Sequence, residues 1–100
     1  MEIDECAKRT LQAKDKELND AYQKLVKSLV PDDRQDTTDY EGVKKQLLAG
    51  QRAWITYRDN DCKAKLNLHA SGTIRGAVYL SCLTERTEQR TKELRTWSRE

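Results

Sequence analysis

One hundred residues with 36% hydrophobic and 36% charged side chains, no Phe, one Pro and four Gly suit long two-sided helices around a thin core. A net charge of +2, with bases alternating with Asp and Glu at helix spacing, gives little counterion-release drive and argues against nucleic acid as a partner. No apolar run approaches the roughly 20 residues needed to cross a bilayer, and periodic apolar spacing interleaved with two Trp and four Tyr argues against disorder.

From Ile3 to Val30, Leu11, Leu18 and Leu25 recur every seven residues, with Ala7, Tyr22 and Leu29 filling slots four residues away. This is the apolar stripe of a helix. Lys14 and Asp15 interrupt it and must reach water or a polar partner. Pro31 cannot continue the helix, so the acid-rich run from Pro31 to Asp36 reverses the chain. Thr38 and Glu41 then match a capping box that starts a second helix. Its stripe runs through Tyr40, Val43, Leu47, Trp54, Arg58, Cys62 and Leu66, about 40 Å at 1.5 Å per residue. Gly50 costs that helix about 1 kcal/mol against Ala and permits a bend or a close approach by a neighbour. Ser71, Gly72, Thr73 and Gly76 supply a break after His69. A third helix follows, capped by Thr73, with a face of Val78 or Tyr79, Leu83, Thr87, Leu94 and Trp97. The expected fold is an all-α, three-helix antiparallel bundle, one domain over residues 1–100 without internal repeats.

Charge is distributed unevenly. Residues 1–41 hold eleven acids against seven bases, and residues 42–100 six acids against twelve bases, which makes the surface dipolar if the two regions lie apart. Six acid-to-lysine pairs have the favourable i, i+4 order: Asp4 with Lys8, Asp20 with Lys24, Glu41 with Lys45, Asp59 with Lys63, Asp61 with Lys65, and Glu88 with Lys92. At about 0.3 to 0.5 kcal/mol each they would reinforce helices without holding the fold together.

Three cysteines without neighbours at metal-ligand spacing point away from zinc and toward disulfide chemistry. Cys62 near the end of the second helix and Cys82 in the first turns of the third meet if those helices are antiparallel. Closing that loop of about 20 residues stabilises by roughly 3 kcal/mol in the chain-entropy model. The alternative is a pair of ordinary buried thiols. Cys6 is left as a free thiol, an intermolecular crosslink, or, the preferred reading, half of a bridge to a cysteine upstream of a trimmed N-terminus. Met1 is followed by Glu2, Asp4 and Glu5, so the chain reads as cytosolic or as a mature form whose targeting segment has been removed.

His69, the single histidine, lies beside a loop with no second ligand and reads as solvated. Asp59 and Asp61 are two apart on a helix, face different ways, and cannot act as an acid and base couple. No phosphate loop or nucleophile motif occurs, so neither enzymatic activity nor a cofactor is expected. Arg58 falls on the apolar stripe between Trp54 and Cys62, where a partly buried guanidinium needs acceptors. Glu85 and Asn19 are the candidates, in a polar layer that sets helix register.

Asp15, Leu18, Asn19 and Tyr22, then Gln51, Trp54, Arg58, Asp59 and Cys62, then Cys82, Leu83, Thr87, Arg90 and Leu94 resemble, in order and spacing, the lysozyme-inhibitor LprI-like domain. The likeness covers nearly the whole chain. It implies an exported bacterial helical domain, periplasmic, secreted or lipid-anchored, in which Cys62 pairs with Cys82 and the other named residues are structural. Many members of that family carry a further cysteine upstream of the position matching Cys6, and this sequence does not.

Three functions follow as expectations. The first is inhibition of a lysozyme or related muramidase by a polar loop or helix end entering a cleft lined by two carboxylates. Lys63, Lys65 or Arg75, around the 62–82 hairpin, can supply the basic side chain. Animal-type lysozymes are strongly basic, however, and this chain is net positive, so only the acidic segment Asp32 to Glu41 suits their surface, and its acids read better as turn and cap residues. The second is an envelope module binding another protein or a cell-wall component. The third is a helical structural or stress protein without a dedicated ligand.

Overall fold

The computed structural model describes residues 2–33, 35–68 and 75–97, with side chains from Glu5 onward. They form three helices, α1 Glu2–Ser28, α2 Tyr40–Leu68 and α3 Arg75–Thr96. The chain runs up, down and up, so α1 and α3 are parallel to each other and antiparallel to α2. Lys14 accordingly meets Glu88, while Asp15 meets Arg58. The result is a rod with extents of 60 × 22 × 15 Å. The expected all-α antiparallel bundle is what forms, including its inter-helix disulfide.

The seven-residue spacing of α1 places its leucines in two apolar clusters. Leu18, Leu25 and Leu29 pack with Tyr40 and Leu47 of α2 and Leu94 of α3, flanked by Ala21, Tyr22, Val26, Val43 and Trp54. One step nearer the other end, Leu11 and Tyr79 pack against Cys62, Cys82 and Leu83. Between the clusters α3 buries Thr87 and Thr91, which are 0% and 4% exposed. Their hydroxyls donate to the carbonyls of Leu83 and Thr87, at 2.7 and 2.9 Å, so burial leaves neither unsatisfied. Polar side chains on α3 thus stand at core positions without the cost of an orphaned hydroxyl.

Several details depart from expectation. The cap of α2 is Asp39, not Thr38, because its carboxylate accepts the Gly42 amide at 3.0 Å. A Cβ at Gly42 would collide with that carboxylate, so glycine leaves room for the cap. Trp97 lies beyond the last turn of α3 and is 48% exposed instead of joining the core face. Five of the six expected i, i+4 pairs give way to other partners. Asp20 pairs with Lys16, Glu41 with Lys44, Asp59 with Arg58, Asp61 with Arg86 and Glu88 with Lys14. Two of these, Asp61 with Arg86 and Glu88 with Lys14, cross between helices, which a count along one helix does not see. The Asp4 side chain of the sixth pair, and the expected loop with His69 and the cap Thr73, lie outside the described residues. The acid excess of residues 1–41 is spatially local: α1 itself carries six acids and six bases, and the surplus acids lie in the α1–α2 turn and the first turn of α2, at the rod end opposite Lys63, Lys65 and Arg75.

Gly50 gives α2 neither a break nor a close neighbour. The helix is continuous through it, and nothing lies within 4 Å of where its Cβ would be. Gly50→Ala should therefore stabilise the fold by about 0.5 to 1 kcal/mol, read as a higher urea midpoint at unchanged slope. A lower midpoint would show that the glycine backbone is needed there.

Candidate functional site

α3 packs closely against both α1 and α2, whereas α1 and α2 stand farther apart. Two features of the surface follow: a groove between α1 and α2, and a rod end where α2 hands over to α3.

The rod end is braced from inside. Cys62 and Cys82 are bonded, with Cα atoms 5.6 Å apart and side chains 0% and 4% exposed. Beyond this brace Lys63 and Lys65 are exposed, as is Arg75 at the first turn of α3. The Arg75 guanidinium donates to Asn67 Oδ1 at 3.5 Å, and Leu68 is 80% exposed beside it in sequence. No acid occupies the first turn of α3. Among the described residues of α2 and α3, the end therefore presents three cations and the apolar Leu68 on a disulfide-braced base, with Glu5 of the parallel α1 exposed at the same end. Cys6, on α1, is a free and exposed thiol.

The groove collects most of the first two motif groups. Asp15, Leu18, Asn19 and Tyr22 line it from α1, and Gln51, Trp54 and Arg58 from α2, together with Gln23, Leu48, Arg52 and Ile55. At one end Arg58, with its side chain 15% exposed, ties all three helices together. Nη1 donates to Asp15 Oδ1 at 3.3 Å and to Thr87 Oγ1 at 3.2 Å, while Nε donates to Asp59 Oδ1 at 3.0 Å. Its Cζ lies 5.3 Å from the centre of the Trp54 ring, within cation–π range. The polar layer is present, but its acceptors differ from Glu85 and Asn19. Glu85 is two residues from Thr87, hence on another face of α3 and exposed, and Asp15, one turn before Asn19, reaches the guanidinium first.

The third motif group belongs to α3. Leu83 packs at the disulfide and Leu94 in the larger cluster. Thr87 sits under Arg58, and Arg90 donates to Gln51 Oε1 at 3.0 Å and to Glu93 at 3.1 Å. Gln51 is buried although polar, at the slot four residues after Leu47, a position the stripe itself pointed to. Arg86 with Asp61 at 2.6 Å, and Lys14 with Glu88, carried no signal in one-helix spacing. The Lys14 pKa is raised by its hydrogen bonds to Glu88 and Glu17.

Arg58→Met tests the layer. Asp15 and Asp59 keep side chains 50% and 40% exposed, and the Thr87 hydroxyl still has Leu83, so losing the guanidinium strands little in a dry environment. The expected loss is about 1 to 2 kcal/mol in chemical denaturation, below the 3 to 5 kcal/mol of a broken buried pair. A loss beyond that range would place those carboxylates in a dry interior.

At the opposite end of the rod, the acids of the α1–α2 turn serve the turn. Asp33 accepts the Gln35 amide, Asp36 accepts the Thr38 amide and the Tyr40 hydroxyl, and Asp39 caps α2. The Tyr40 hydroxyl and then Thr38 hold the Asp36 carboxyl well below the usual carboxylate range. The stability this brings is present above the unfolded value and is lost as pH falls through the lowered native one. Among the described residues no group of three His, Cys, Asp or Glu is placed to hold a metal ion, and no helix is long and apolar enough to cross a membrane.

A family model described as lysozyme inhibitor LprI matches residues 1–94. An uncharacterised protein of Rhizobium meliloti (strain 1021), R02472, is 33% identical over 99 residues, covering 95% of this chain and 70% of that protein. No solved structure matches.

Proposed function

Because the chain belongs to the LprI family of lysozyme inhibitors, we propose that it is an exported, non-catalytic binding domain that blocks a muramidase by lodging its α2–α3 end in the active-site cleft. The observation carrying this reading is the braced end itself. Lys63, Lys65 and Arg75 are exposed just beyond the Cys62–Cys82 bond, so the backbone that carries them toward a cleft lined by two carboxylates is already braced. Leu68 beside them supplies an apolar anchor, and a rigid base lets such an anchor count toward affinity. A disulfide suits an oxidising compartment outside the cytosol, which supports export.

The acidic turn at the other end is a poorer candidate, because its carboxylates are spent on local amides and a hydroxyl. It follows that the favoured target is a muramidase whose surface is less basic than the animal type. The purified domain is titrated against lysozymes of differing surface charge while cell-wall lysis is followed. Inhibition at micromolar domain is expected for the less basic enzymes. Combining Lys63→Glu, Lys65→Glu and Arg75→Glu should weaken it at least tenfold at unchanged melting temperature. Inhibition that survives the triple substitution would move the contact elsewhere, and lysis unaffected by any concentration would remove the inhibitory reading.

A further inference from the structure

The α1–α2 groove stands apart from the braced end. Its walls include Leu48 and Ile55, 39% and 42% exposed, and the half-buried rings of Tyr22 and Trp54. Its α1 lip includes the neutral Asn19 and Gln23. The α2 lip carries Arg52, and Lys45 falls on the same face of α2, two turns before it. Glu41 pairs with Lys44, and Asp15 and Asp59 share Arg58 at one end of the groove, so among the described residues no carboxylate pairs with Lys45 or Arg52. An apolar trough whose α2 rim carries two such cations has a definite complement.

We propose that the α1–α2 groove docks an acidic amphipathic segment of a protein partner, with apolar side chains between Tyr22, Leu48, Trp54 and Ile55 and carboxylates along Lys45 and Arg52. The inference rests on charge complementarity and on the geometry of the groove, and it is independent of muramidase inhibition. A protein segment fits better than a membrane surface, because Leu48 and Ile55 offer too little apolar area to insert among acyl chains.

The probes are a synthetic helical peptide with leucines on one face and glutamates on the other, its lysine-for-glutamate counterpart, and vesicles of phosphatidylglycerol. Amide chemical shifts of the isotope-labelled domain are read, together with Trp54 fluorescence in a Trp97→Phe background. The acidic peptide should bind saturably and shift Asn19, Gln23, Leu48, Arg52 and Ile55, and its affinity should exceed that of the basic peptide by tenfold or more. Arg52→Glu with Ile55→Asp should abolish those shifts while the thermal melt and inhibition of cell-wall lysis stay as they were. Equal binding of both peptides, shifts confined to other surfaces, or binding of the vesicles alone would each overturn the proposal.

Discussion

Cys62→Ser with Cys82→Ser is expected to lower stability by roughly 3 kcal/mol, or about 12 to 24 °C in melting temperature for a chain of this size. The bond closes a sequence separation of 20 and lies wholly inside the second apolar cluster. A core this thin has little else to offset such a loss. The measurement is a melt of wild type and variant with and without reductant. The gap should close when both proteins are reduced. A gap that persists under reduction would mean that the serines, not the missing bond, destabilise the fold. Cys6 does not enter the comparison, since it is free and exposed.

Leu94→Ala should cost about 2 to 5 kcal/mol. Leu94 is 1% exposed and belongs to the cluster where leucines of α1 and α2 meet α3. Truncation leaves a cavity that helices pinned by neighbouring packing fill only in part. Leu48→Ala, at 39% exposure, is the matched control and should stay within about 0.5 kcal/mol. Urea midpoints at constant slope give both values. Equal losses at the two positions would mean that the larger cluster is not where the fold's stability resides.

The helices and their faces were legible because seven-residue leucine spacing and the Pro31 stop are local signals, and they placed α1 and α2 to within a few residues. The disulfide was legible for the same reason, since an antiparallel hairpin leaves two cysteines 20 residues apart little choice of neighbour. What escaped is what depends on rotation between helices. Arg58 was placed on the buried stripe, yet its acceptors proved to be Asp15, Asp59 and Thr87, selected by how α1 and α3 turn toward α2. Spacing alone assigns Trp97 to the core face, but the helix ends at Thr96 and the residue stays about half exposed. The groove was invisible beforehand because no single helix contains it. It arises from unequal separations among three, although seven of the residues that line it had already been grouped by their resemblance to one family.

Elongation has its own implication. In a body 60 Å long and 22 Å at its next widest, tip and flank are separate addresses, and a bulky protein gripping one need not shadow the other. Two tenants of different chemistry can then be held at once, which makes so small a molecule suited to act as a tether as well as a plug.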